Sequence, residues 1–215
     1  MTLHLPGHPT LLHLIRHGEV EETYHNVFGG CRIDMGLSPL GHRQAKALAE
    51  ATAHWPLDAV YASPMLRVKE TMQPLLDARQ MAPVVMDDLR EMDFGDWTGH
   101  KWQEVHEKFG VSAYDWLEVL QGAGIPNGES AAIVKARTAP CLNHILASHP
   151  HQSIAIVCHG GIIRVLLSML LELPLSKMSH FNIDYAGITT VEIQPEKKHA
   201  IELSLLNWCP WMAVV

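Results

Sequence analysis

Two apolar runs in this chain end alike. TLLHLI (10–15) stops at Arg16-His17-Gly18, and SIAIVC (153–158) stops at His159-Gly160-Gly161. Short, nearly continuous apolar runs bounded by turn residues read as strands buried on both faces. LDAVYAS (57–63) and APVVMDDL (82–89) read as two further strands. Between them the apolar positions take helical spacing. Ser38 then Pro39 form an N-cap and first turn, followed by a helix with apolar positions at Leu40, Ala47, Leu48 and Ala51. Pro64 opens a second helix running to about Arg79. Residues 100–122 are helical but interrupted at Gly110, and IPNGES is a turn whose Ser130 caps a helix running to about Ser148. GGIIRVLLSMLLEL (160–173) is apolar on nearly every side, as a buried helix is. AGITTVEIQ and HAIELSLLN alternate and pair as a late hairpin turning near PEKKH. Strands alternating with helices predict an α/β fold of three layers: a mostly parallel central sheet with an antiparallel edge, and helices on both faces.

Composition narrows the class. The 215 residues are 47% hydrophobic and 18% charged, which suits one globular domain over 1–215. A net charge of −7 argues against a nucleic-acid surface, and no apolar run reaches membrane-spanning length. Cys31, Cys141, Cys158 and Cys209 have no metal spacing, and the opening residues lack a signal-peptide pattern, so free thiols and a cytoplasmic protein are expected. His4, His8 and His13, and the histidines of SHPHQ (148–152), lack a recognised metal spacing and are expected on exposed loops. Trp208, Trp211 and the apolar tail MAVV point either to a homodimer contact or to closing of the core.

In open α/β sheets, ligands bind beyond the carboxyl ends of the strands. Arg16, His17 and His159 fall there, each followed by glycine. Arg67 lies just after the second strand, on the first turns of a helix, where a cation is unfavourable unless an anion faces it. Glu91 follows the third strand, with Asp93 as a rival for the same role. Two arginines and two histidines around an anion suit phosphoryl transfer. Guanidinium forks match phosphate oxygens, an imidazole can attack phosphorus, and a carboxyl can protonate the leaving oxygen. Positioning and charge stabilisation can supply this catalysis with no metal or other cofactor.

LIRHGE, YASPMLRVKET, LREMDFGDWTG, NGES and VCHGGIIRVLL, in that order over nearly the whole chain, resemble the motif set of the histidine phosphatase superfamily, the phosphoglycerate mutase-like family. The resemblance implies a phosphoglycerate mutase-like fold. It implies His17 as the nucleophile that becomes phosphohistidine, Arg16, Arg67 and His159 as the pocket for the phosphoryl oxygens, Glu91 as proton donor, and Gly160 as a backbone donor to phosphate. Many members carry a hydroxyl residue and then an asparagine after RHGE. Here Val20 replaces the former, and Thr23 and Asn26 both stand as candidates for the latter contact. Gly29-Gly30 mark the 20–31 loop as a lid candidate, with Gly30 as a substrate-binding position. The mutases of the family carry a longer insertion with a lysine and paired arginines. This chain has Lys101 and Lys108 there and no Arg-Arg pair, which favours hydrolysis of a small phosphorylated metabolite. The segments MDFGDWTG and NGES look like those of the small phosphatase branch, which includes α-ribazole phosphatases. A mutase-type phosphotransferase and a noncatalytic phospho-ligand module are the alternatives.

Overall fold

Alternation within the strands sorts the apolar side chains into two layers. A computed structural model describes residues 8–194 and 200–212. The expected turn at 195–199, His4, and residues 213–215 of the tail lie outside the described residues. Six strands form one sheet: β1 (Thr10–Arg16), β2 (Ala59–Ala62), β3 (Val84–Val85), β4 (Ser153–Cys158), β5 (Ile188–Ile193) and β6 (Ile201–Trp208). Their spatial order is β3-β2-β4-β1-β5-β6. The first four are mutually parallel, while β5 and β6 form the antiparallel edge. Leu12, Leu14, Ile154 and Ile156 face one side of the sheet, and Ile15, Ala155 and Val157 face the other, as the two-residue period requires.

Helices α1 (Pro39–Ala51) and α2 (Leu66–Arg79) cover the Ile15 side, burying Leu48, Val68, Met72 and Leu75. Helices α3 (Trp102–Phe109), α4 (Trp116–Gln121), α5 (Ala131–Ser148) and α6 (Gly160–Leu170) contribute to the larger core on the Leu14 side. Within α6, Ile162, Ile163, Val165 and Leu166 are wholly buried. At ~1.5–3 kcal/mol per fully buried aliphatic side chain, that face is a principal anchor of the helix. Ser38 caps α1 by accepting from the Gly41 amide, and Ser130 caps α5 in the same way from Ile133. Gly110 ends α3 in the left-handed conformation.

The third strand is shorter than its apolar pattern predicts. β3 keeps only Val84 and Val85, both about half exposed, because it is an edge strand paired to β2 at two positions; Asp87–Leu89 then turn as a 3-10 helix. The buried face of α1 is also displaced, to Gly41, Gln44, Ala45, Leu48 and Ala49. Backbone approach decides that face. Gly41 lies against the Glu19 carbonyl, and the Gln44 side-chain oxygen accepts from the Glu19 amide. His13, expected on an exposed loop with the other N-terminal histidines, is instead buried within β1 between the Thr190 and Ser153 hydroxyls. Among the described residues no helix is long and apolar enough to cross a membrane.

Candidate active site

The chain runs outward from β1 to β2 and β3, then returns through α5 to insert β4 between β2 and β1. β1 and β4 are therefore neighbours, with Arg16 paired to Cys158, and the next residues of each strand are His17 and His159. The His17 amide extends the ladder by donating to the Cys158 carbonyl. The two imidazoles meet edge to face at 5.3 Å between ring centres.

His17 is buried, and its protonation geometry is fixed. Nδ1 lies 2.8 Å from the Gly18 carbonyl oxygen, which can only accept, so Nδ1 carries the proton. Nε2 therefore holds the lone pair, and Arg67 Nε donates to it at 3.2 Å. Burial, then the Arg67 and Arg16 guanidiniums, hold the His17 pKa well below the usual histidine value. His159 is wholly buried behind His17, and burial, then Arg67, depress its pKa as well. Its Nε2 bonds the Ser63 hydroxyl at 2.7 Å, while its Nδ1 is buried without a hydrogen-bond partner.

A cavity of about 240 Å³ opens in front of His17. Arg16, Arg67, Glu91, Gly160, Gly161 and Arg164 supply its polar wall. Arg67 is held by its Nη2, which donates to the Gly30 carbonyl, and its Nη1, which donates to that of Ile33. Arg16 donates to the Ile183 carbonyl and lies 4.0 Å above the Tyr185 ring, with its Nε left without a partner. Arg164 bridges the Gly160 and Phe181 carbonyls, and burial, then Arg16, lower its pKa to about 10. Three guanidiniums against one carboxylate give the polar wall an excess of positive charge, which suits an anion. Glu91 accepts from the Met92 amide at 3.1 Å and the Gly161 amide at 3.4 Å.

The other wall is apolar and aromatic: Val20, Tyr24, Val27, Phe28, Met35, Phe94, Trp102, Trp116 and Tyr185. Much of it belongs to the 20–31 loop. Gly30 lines the cavity at φ +57°, with Met92 O only 2.5 Å from where a β-carbon would stand, so glycine is required there. Thr23 is exposed, and Asn26 faces a separate depression with Trp102 and Tyr114; neither lines the His17 cavity. Asp93 also stays outside, paired with Arg32 at 2.7 Å and bonded to the Gly95 amide. Trp97 is core, Trp208 stacks on Trp55, and Trp211 donates to the Tyr185 carbonyl. Cys158 is wholly buried, and burial pushes its thiol pKa up, so it is no nucleophile.

Sequence reasoning missed Arg164, Tyr185 and the Glu129–Arg137 pair. Arg164 had a signal, a lone arginine in an apolar helix. Tyr185 comes from the loop before β5 and carries none.

The Histidine phosphatase superfamily (branch 1) matches residues 12–205. Phosphoserine phosphatase 1 of Hydrogenobacter thermophilus is 29% identical, covering 89% of this chain and 90% of that one. The adenosylcobalamin/alpha-ribazole phosphatase of Salmonella typhimurium is 28% identical, covering 85% and 90%. Among solved structures, a phosphoserine phosphatase mutant from Entamoeba histolytica in complex with phosphoserine superposes with a TM-score of 0.80 at 27% identity, covering 94% and 99%.

Proposed function

The chain belongs to the histidine phosphatase superfamily (branch 1) and is a phosphatase; from that premise we propose that it hydrolyses small phosphomonoesters, without a metal, through a phosphohistidine on His17. The observation that carries the reading is the lone pair on His17 Nε2, fixed by Gly18 and neutral because of burial and the arginines. In the first step Nε2 attacks phosphorus, the P–O bond to the leaving alcohol breaks, and the Glu91 carboxyl gives its proton to the leaving oxygen. Arg16 and Arg67 neutralise the phosphoryl oxygens and Gly160 offers its amide, while His159, which does not line the cavity, packs edge to face against His17. In the second step the Glu91 carboxylate takes a proton from water, the hydroxide attacks phosphorus, the N–P bond breaks, and phosphate leaves.

Hydrolysis is favoured over a mutase reaction because Lys101 and Lys108 lie outside the cavity and, among the described residues, no lysine and no arginine besides Arg16, Arg67 and Arg164 lines it. The apolar wall suits a leaving group with a flat apolar part, and an α-ribazole 5'-phosphate-like ester is the substrate we favour. Phosphoserine is the rival, supported by the likeness to phosphoserine phosphatases. Phosphate release should be measured in excess EDTA for wild type and His17→Ala, with α-ribazole phosphate, phosphoserine, 3-phosphoglycerate and an aryl phosphate. Turnover by wild type that vanishes in the variant supports the reading, and the ranking of kcat/KM identifies the leaving group. Activity near wild type in His17→Ala would overturn the assignment of the nucleophile.

A further inference from the structure

Glu91 sits in a stretch with no regular secondary structure, yet its task demands a carboxyl placed to within a fraction of an ångström. Its own side-chain contacts are two backbone amides, one of them long at 3.4 Å. Further hydrogen bonds reach this stretch from behind it. Arg137, two turns into α5, sends its guanidinium beneath the 88–93 segment. Nη1 donates to the Asp88 carbonyl at 2.5 Å and that of Arg90 at 3.1 Å, and Nη2 donates to that of Glu91 at 3.3 Å. The same guanidinium grips Glu129 with both arms, Nε to Oε1 at 2.8 Å and Nη2 to Oε2 at 3.0 Å. Glu129 in turn accepts from the Asp93 amide at 2.9 Å, and its own amide donates to the Asp93 carbonyl.

Both side chains are about one-tenth exposed. A buried ion pair is an expensive way to gain stability, because desolvation offsets its attraction. Here the pair, besides gripping itself, bonds the peptide groups of Asp88, Arg90, Glu91 and Asp93, on both sides of Glu91. We propose that Glu129 and Arg137 are positioning residues for the proton donor: a clamp that holds the backbone on both sides of Glu91 so that its carboxyl meets the leaving oxygen. The inference rests on Glu91 being that donor. Neither Glu129 nor Arg137 lines the His17 cavity, and their hydrogen bonds reach it through the segment that carries Glu91.

The leaving group separates this role from a purely structural one. Only kcat/KM is used, because it reports the steps up to formation of the phosphoenzyme. A good leaving group needs little protonation, so an aryl phosphate tolerates a misplaced acid and an alkyl phosphate does not. Arg137→Lys keeps a charge near Glu129 but cannot serve three carbonyls at once; Glu129→Gln keeps the shape and weakens the grip. Both, with Glu91→Gln alongside, should be assayed on p-nitrophenyl phosphate and on the best alkyl phosphate, after circular dichroism has established folding. The clamp predicts a loss of roughly tenfold or more on the alkyl ester and within about threefold on the aryl ester for both variants. Equal losses on the two esters in these variants, while Glu91→Gln discriminates between them, would overturn the clamp and leave the acid in place. Equal losses in Glu91→Gln itself would overturn the acid, and the clamp with it. If neither clamp variant folds, the pair is a fold element and the proposal fails.

Discussion

Gly161 shows how little room the site leaves around one residue. A β-carbon there would stand 2.6 Å from Glu91 Oε1 and 3.1 Å from the Met92 methyl carbon. Both neighbours are ends of side chains, so Gly161→Ala should fold, with the added methyl displacing the carboxyl. The backbone takes a helical position at the start of α6, where alanine is favoured over glycine. The expected outcome is a thermal midpoint at or above wild type with kcat/KM on alkyl phosphates reduced by about tenfold or more. Unchanged alkyl-phosphate kinetics in this variant would show that the position of Glu91 is not critical. At the same scale, the tautomer of His17 follows from one carbonyl oxygen, and its neutrality follows from burial beside two guanidiniums.

At the scale of elements, caps and strand ends carry the design. Ser38 accepts from the Gly41 amide at the start of α1 and donates to Glu19 Oε1 at 2.7 Å, tying the helix to the strand-end loop. Ser38→Ala should lower the unfolding free energy by about 1 kcal/mol, read from the urea midpoint at constant slope. No shift would mean that water replaces both bonds without loss. β1 and β4 ending side by side is the element-level fact that creates the site, since two parallel neighbours release their next residues at one edge. Both helices that follow a site strand with little delay, α2 and α6, start at that edge, and Arg67 and Gly160 lie in their first turns.

For the whole molecule, the buried histidines set the response to acid. His17 and His159 are held neutral, and burial, then Arg79, bring the His13 pKa down to about 4. Between pH 6.5 and about 4 the unfolded chain binds a proton at His13 that the folded chain does not, so stability rises with pH in that window. That contribution is complete above pH 6.5 and is lost as pH falls toward 4. For His13 it is on the order of 3 kcal/mol, at ~1.4 kcal/mol per pH unit. Urea unfolding at pH 7, 6 and 5 should show wild type losing stability steadily, and His13→Gln losing about one proton's worth less per unit. Parallel slopes for the two proteins would exclude His13 as a source of acid sensitivity.

The sequence by itself determined the alternation of strands and helices, the caps at Ser38 and Ser130, the stop at Gly110, and the short list of chemical groups. These are local: each depends on the period of apolar side chains or on a residue's own backbone preference. It also placed Arg16, His17 and His159 at strand ends, because an apolar run that stops at an arginine or histidine marks the edge of the core. Only the tertiary structure decided which groups share a cavity. It put Glu91 in the cavity wall and paired Asp93 with Arg32 outside it, left Thr23 and Asn26 outside, and brought in Arg164 and Tyr185. It also showed that Glu129 and Arg137, in NGES and the helix after it, grip the segment that carries Glu91. Such contacts depend on the packing of elements far apart in the chain, and residue spacing carries no record of that packing.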